Sequence, residues 1–84
     1  MFLYLGGETV IRIRDIIAIL NVENNRTWHD NLPPKFQNRI IGQEPPLARE
    51  EVKSLVITPQ GVYLSSISSG TLKKRAELFT RHHE

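Results

Sequence analysis

Short apolar runs, separated by glycine, proline and asparagine clusters, dominate the chain. Residues 2–5 (FLYL) form one such run that stops at Gly6 and Gly7, which predicts a first strand followed by a tight turn. The next segment, TVIRIRD, alternates apolar and charged residues, so Arg12 and Arg14 are expected on one face of a second strand. The pattern therefore predicts a hairpin at the start of the chain.

The next segments predict a strand, a loop and a short helix. Residues 16–22 (IIAILNV) are apolar on both faces of a presumed strand, which fits a central strand or one whose outer face another subunit covers. We favour cover by another subunit because the chain is so short. Residues 23–34 are rich in Asn, Asp and Pro and predict a loop, and residues 35–41 (KFQNRII) predict a short helix that Gly42 ends.

The second half of the chain predicts a loop and a second hairpin. Residues 42–51 are polar and contain prolines, which indicates an exposed loop rather than a domain boundary. Two strand-like runs, VKSLVIT and VYLSS, then flank the tripeptide PQG. Pro59 suits the second position of a turn and Gly61 tolerates a positive φ, so this segment predicts a hairpin with a defined turn.

An amphipathic helix is predicted after the second hairpin. Ser68 or Ser69 can cap its first turn, and Leu72, Ala76 and Phe79 recur at the spacing of a helical stripe. The stripe is expected to pack on the sheet. The predicted fold class is thus α+β, a small bent antiparallel β-sheet of about five strands with a C-terminal helix.

Length and composition predict one small domain that assembles. The 84 residues form a single domain, residues 1–84, in which residues 77–84 are expected to be a frayed tail. A core of this size rarely supplies more than about 3–5 kcal/mol, and the chain has no cysteine for disulfides or thiolate metal sites, so a homo-oligomer is expected. With no run of 18 apolar residues and no signal-peptide pattern at its start, we expect a cytoplasmic protein that contacts no membrane.

The distribution of charge is more informative than the net charge of +2. Up to Ile67 the chain carries seven cations and seven anions, so the whole excess lies in the C-terminal segment that contains Lys73, Lys74 and Arg75. This KKR cluster has two interpretations, a solvated helix face or a contact with a polyanion such as nucleic acid. A phosphate ligand would offset the small cost of placing cations at a helix start.

Catalysis finds little support in the sequence. The TWHD segment places His29 beside Asp30, but adjacent loop residues seldom orient each other as a base and its partner. No activated nucleophile and no Gly-rich phosphate loop is present. We therefore expect no enzyme, no cofactor, no metal and no small-molecule substrate.

Both ends of the chain carry a family resemblance. The strings MFLYLGGETVIRIRDIIAIL and KSLVITPQGVYLSSISSGTLKKRAE resemble the bacterial extracellular-matrix (biofilm) regulators called RemA and RemB, and the RemB branch more closely. The resemblance covers about residues 1–20 and 53–77 and leaves the middle unmatched. It implies a DNA-binding transcriptional regulator without enzymatic activity, in which small β-rich subunits form a ring whose arginines contact DNA.

The resemblance also suggests candidate DNA-binding residues. In the RemA branch an arginine lies just before the third strand, and its nearest counterpart here is Arg14. The same branch has a basic pair before the penultimate strand, where this chain has Arg49 and Lys53 flanking two glutamates. The full set of candidates comprises Arg12, Arg14, Arg49, Lys53, Lys73, Lys74 and Arg75. For Arg12 and Arg14 the alternative is a solvated strand face with cross-strand acid pairs.

A second function fits the same resemblance. Glu50 and Glu51 stand where the RemA branch has basic character, so the surface could instead face a protein partner, either another copy of the chain or a paralogue. RNA binding finds less support, because Tyr4 and Tyr63 lie on different predicted strands.

Overall fold

A computed structural model of the chain describes the backbone of residues 1–80 and the side chains of residues 1–77. Six strands and three α-helices lie within the described part of the chain. In chain order these are β1 (Phe2–Gly6), β2 (Thr9–Arg12), β3 (Ala18–Asn21), α1 (Trp28–Asn31), α2 (Pro34–Gln37), β4 (Ile40–Ile41), β5 (Ser54–Thr58), β6 (Gly61–Ser65) and α3 (Ser69–Thr80). None of the helices described here is long and apolar enough to cross a membrane.

The strands form two sheets rather than the single antiparallel sheet predicted. Strands β1 and β2 form an antiparallel hairpin, and the other four strands lie in the order β3-β5-β6-β4. Both predicted hairpins are confirmed. Strand β4, however, runs parallel to β6, with Ile40 opposite Val62 and Ile41 opposite Tyr63. Because this pair spans only two residues of β4, no period in the sequence reveals it.

The predicted helix over residues 35–41 is only partly correct. Helix α2 begins at Pro34, where the missing N–H costs nothing, and ends at Gln37. The amide of Val62 then donates to the carbonyl oxygen of Arg39 at 2.9 Å, which draws the following isoleucines into the sheet as β4. Gly42 therefore follows a strand and does not end a helix.

One face of the four-stranded sheet is covered by the N-terminal hairpin and α3. A hairpin-side cluster of buried side chains joins these elements to the sheet: Leu3, Leu5, Ile11, Val56 and Leu72. Ser68 Oγ accepts a hydrogen bond from the Thr71 amide at 3.3 Å and so caps α3, as predicted. Leu72 is fully buried and Ala76 packs against the cluster, which confirms two members of the predicted stripe; the Phe79 side chain lies outside the described residues.

The opposite face of the sheet is covered by the middle of the chain. A loop-side cluster of buried side chains forms there: Val22, Trp28, Val52, Leu55 and Val62. Partly buried side chains of residues 32, 36 and 47 pack against it. Successive residues of β5, Leu55 and Val56, point into opposite clusters because side chains alternate along a strand. The sheet is therefore buried on both faces.

Strand β3 lies at the edge of this sheet, not at its centre. It pairs with β5 on one side only, and Leu20 is 42% exposed and the preceding Ile17 is 66% exposed. The apolar run of residues 16–22 is thus incompletely covered by its own chain. Cover by another subunit, the alternative that the sequence favoured, stays a prediction.

Candidate nucleic-acid interface

Arg12 and Arg14 do not share a strand face. Strand β2 ends at Arg12, and Ile13–Asp15 form a short 3-10 helix. The turn lets both Ile13 and Ile16 pack against the hairpin-side cluster, which an extended strand would not allow because residues three apart point to opposite faces. Both arginines are exposed. The prediction of a shared strand face is wrong, although both side chains remain accessible.

Arg12 lies on the outer face of the hairpin among apolar side chains. It is opposite Phe2 in the β1–β2 pairing, and Tyr4 lies opposite Val10 on the same face. These three apolar residues are 47–60% exposed. Arg12 is therefore beside an apolar surface, whereas Arg14 lies beyond it on the 3-10 helix.

Arg49 and Lys53 lie at the other end of the β3–β5 pair. Two backbone hydrogen bonds mark the ends of this ladder. The Ile17 amide donates to the Ile57 carbonyl oxygen at one end, and the Val22 amide donates to the Lys53 carbonyl oxygen at the other. Five residue steps at about 3.3 Å each separate its ends by about 17 Å. A single subunit therefore does not bring Arg14 and Arg49 together.

The KKR cluster forms a third, separate group. Lys73, Lys74 and Arg75 are exposed on α3, which packs on the hairpin side of the sheet. The seven candidate cations are thus distributed over three regions of the subunit. No single element therefore carries all seven candidates.

Arg26 lies in the same cleft as Arg49, a proximity that the sequence did not predict. Both arginines and Glu50 line an open cleft of about 480 Å³. Asn24 and Asn25 lie in the adjoining recess with the same three side chains. Because β3 and β5 are antiparallel, the segment after β3 lies beside the segment before β5. The β3–β5 pairing places Arg26 next to Arg49, and the sequence alone does not reveal this pairing.

The local backbone positions both arginines. Before α1, Asn24 adopts a positive φ of 66°, and the Asn25 carboxamide oxygen accepts a hydrogen bond from the Thr27 amide at 3.2 Å, which fixes the turn that carries Arg26. Arg49 begins a 3-10 helix, Arg49–Glu51. The buried Trp28 indole N–H donates to the Arg49 carbonyl oxygen at 3.3 Å. Trp28 therefore packs in the loop-side cluster and also ties Arg49 to it.

Four exposed arginines have no carboxylate partner among residues 1–76. Within residues 1–76, no carboxylate oxygen lies within 4.0 Å of Arg12, Arg14, Arg26 or Arg49. The cross-strand acid pairs considered for Arg12 and Arg14 are thus not formed at that distance. The guanidinium groups of the four arginines also donate no hydrogen bond to any of residues 1–76, and their five N–H donors suit phosphate or carboxylate oxygens.

No protein-family model matches the chain. The chain is 34% identical over 78 residues to extracellular matrix regulatory protein B of Bacillus subtilis, an alignment that covers 92% of this chain and 91% of the relative. The similarity therefore extends through the middle segment that the two quoted strings left unmatched. Identity of this level over nearly the whole of both chains places the protein in the RemB-like family of bacterial extracellular-matrix regulatory proteins.

Proposed function

We propose that the chain is a non-enzymatic DNA-binding regulator of extracellular-matrix gene transcription, which acts in the bacterial cytoplasm as a ring-shaped homo-oligomer. The name of its relative supports the regulatory role. One observation supports DNA binding. Arg14 and Arg49 are exposed at opposite ends of the β3–β5 pair and have no carboxylate within 4.0 Å among residues 1–76. Free guanidinium groups of this kind suit the phosphate backbone.

Assembly provides what one subunit lacks. A subunit carries a net charge of only +2, and Arg14 and Arg49 lie beyond opposite ends of a β3–β5 ladder that is about 17 Å long. Repetition around a ring turns a few cations per subunit into a continuous belt, with Arg14 and Arg49 as its main members. Many weak phosphate contacts on one assembly then bind together with high avidity.

Exposed apolar side chains support the assembly itself. Phe2, Tyr4 and Val10 lie on the outer face of the hairpin, and Ile17 and Leu20 lie at the β3 edge. Clustered exposed apolar side chains, such as those on the hairpin face, mark interaction surfaces. In our proposal a second copy of the chain covers these residues, which is the cover that the short core predicts.

A salt-dependent titration tests the proposal. Fluorescent duplex DNA of about 40 base pairs is titrated with the protein, and anisotropy is recorded at low and near-physiological salt while light scattering reports the oligomer. We expect tight binding at low salt with a steep salt dependence. Arg14→Ala should weaken binding without changing the oligomer mass, because the exposed side chain packs in neither buried cluster.

Arg39→Ala is the matched control for Arg14→Ala. Arg39 is also exposed, but it precedes β4 on the opposite edge of the sheet and belongs to none of the candidate groups. The Arg39→Ala variant should bind DNA nearly as tightly as the wild type. If an intact oligomer fails to bind duplex DNA at low salt, direct DNA binding is wrong.

The alternative is a protein-interaction module without direct DNA binding. Glu50 supports it, because its carboxylate lines the same cleft as Arg26 and Arg49 and would repel a phosphate. This function predicts an oligomer that ignores DNA at low salt and binds a paralogous chain instead. The same titration therefore separates the two functions.

A further inference from the structure

We propose that Arg26 and Arg49 together bind one backbone phosphate of DNA, in the cleft that they share with Glu50. This inference rests on the proposed function and adds a contact residue to it, since Arg26 belongs to neither stretch that carries the family resemblance. The two side chains come from segments 23 residues apart in the chain but line one cleft.

Two guanidinium groups in one cleft suit a phosphate better than one. Each presents a planar fork of N–H donors that bonds phosphate oxygens in pairs, so two forks can engage several oxygens of the same group. Neither Arg26 nor Arg49 has a carboxylate within 4.0 Å in residues 1–76, so no ion pair has to be broken first.

The cleft is held in shape by its surroundings. The Trp28 indole N–H and the Val52 amide both donate to the Arg49 carbonyl oxygen, at 3.3 and 3.2 Å, and both residues are buried in the loop-side cluster. On the other wall, the Asn25 side-chain oxygen accepts hydrogen bonds from the amide and hydroxyl of Thr27 and fixes the turn that carries Arg26. Both arginines therefore project from backbone that is already ordered, which lowers the entropic cost of binding.

The lining favours a backbone phosphate over a free nucleotide. The cleft volume of about 480 Å³ is large enough for a small ligand, but base recognition requires an aromatic or apolar platform. Trp28, the nearest aromatic side chain in sequence, is only 4% exposed and turned into the core. Among the described residues that line the cleft and its recess, the exposed side chains are those of two arginines, one glutamate and two asparagines, whose donors suit a phosphate of a strand that passes over the cleft.

The test compares Arg26→Ala with Arg39→Ala in the duplex titration. Both remove one exposed arginine and lower the subunit charge equally, so general electrostatics affects them alike. We expect Arg26→Ala to weaken binding at low salt about tenfold or more relative to Arg39→Ala. The slope of log affinity against log salt concentration should also become shallower, by about 0.9 for each subunit that loses one phosphate contact.

Further variants separate geometry from charge. Arg26→Lys keeps the charge but loses the planar fork, so its binding should fall between that of the wild type and Arg26→Ala. Adenosine monophosphate, added at matched ionic strength, should not displace the duplex. Circular dichroism of every variant checks that the fold is retained.

The failures of the two proposals differ. If the wild-type oligomer does not bind duplex DNA, the proposed function fails, and this inference with it. If the wild type binds and Arg49→Ala weakens it while Arg26→Ala matches Arg39→Ala, only the inference is wrong. Displacement of DNA by the free nucleotide would also overturn it, because the cleft would then be a nucleotide site.

Discussion

The two acids of the REE segment occupy different environments. Glu51 folds back on its own 3-10 helix, where its carboxylate accepts a hydrogen bond from the Ala48 amide at 2.9 Å. Glu50 instead lines the cleft with Arg26 and Arg49. Only one acid of the pair therefore faces the proposed phosphate site, and the other stabilises the backbone that carries Arg49.

Glu50→Gln should tighten DNA binding. Removal of the carboxylate removes its repulsion of a phosphate held by the two arginines, which at a few ångströms in high dielectric corresponds to about a two- to fivefold gain. The measurement is duplex anisotropy at low salt. Glu51→Gln is the control: it removes the same charge one residue away and keeps an acceptor oxygen for Ala48. Equal gains in both variants would mean that Glu50 has no special position.

At the residue scale, local chemistry was predictable and proximity was not. The cap at Ser68 follows from a propensity that acts within a few residues, and it is confirmed. Arg26 carries no such local pattern. Its importance comes from the β3–β5 register, which places its turn beside Arg49, and a single sequence does not contain that register.

At the scale of elements, the turn between β5 and β6 lies against the residue that precedes β4. Thr58 Oγ1 donates to the Gly61 carbonyl oxygen at 3.0 Å and accepts from the Gly61 amide at 3.2 Å, which closes the turn. Gly61 has a φ of 155°, and a Cβ added there would collide with the Arg39 carbonyl oxygen. The absence of a side chain at this position thus allows β4 to lie against β6.

Gly61→Ala should destabilise the fold by about 1–3 kcal/mol, because the added methyl group forces apart backbone that no rotamer change relieves. Gly70→Ala is the matched control. Gly70 lies in the first turn of α3, and a Cβ there meets no atom within 4 Å, so the variant should be neutral or slightly more stable. Urea denaturation followed by circular dichroism measures both. Similar midpoints for the two variants would refute the proposed clash.

The success of the element predictions follows the length of each element. The two hairpins and α3 are long enough to show a period and carry turn or cap residues, and they are confirmed. The 3-10 helix Ile13–Asp15 and the two-residue β4 are shorter than any period. They arise from tertiary packing of Ile13, Ile16 and Ile40, which a single sequence cannot reveal.

At the scale of the whole molecule, the outer face of the hairpin is held in a fixed position. Ser65 Oγ donates to the Leu5 carbonyl oxygen at 2.6 Å, and the Glu8 amide donates to the Glu44 carbonyl oxygen at 2.8 Å. Both bonds join the hairpin to the rest of the domain. The hairpin therefore presents its apolar outer face on a firm base, as a subunit interface requires.

Val10→Asp should lower the oligomer mass, since it places a charge in the centre of the apolar face, where Val10 is 53% exposed in the single chain. Multi-angle light scattering in the absence of DNA gives the mass directly. Asn31→Asp introduces the same charge at an exposed position on α1 and should leave the mass unchanged. An oligomer of unaltered mass in Val10→Asp would remove the hairpin face from the proposed interface.

The order of strands in the larger sheet has a consequence for synthesis of the protein. Strands β3 and β4 flank the central hairpin, yet both precede it in the chain. A ribosome releases the chain from its N-terminus, so both flanking strands emerge before either strand with which they pair. The four-stranded sheet therefore closes only after β6 has left the ribosome, so β3 and β4 wait without their partners until the central hairpin has emerged.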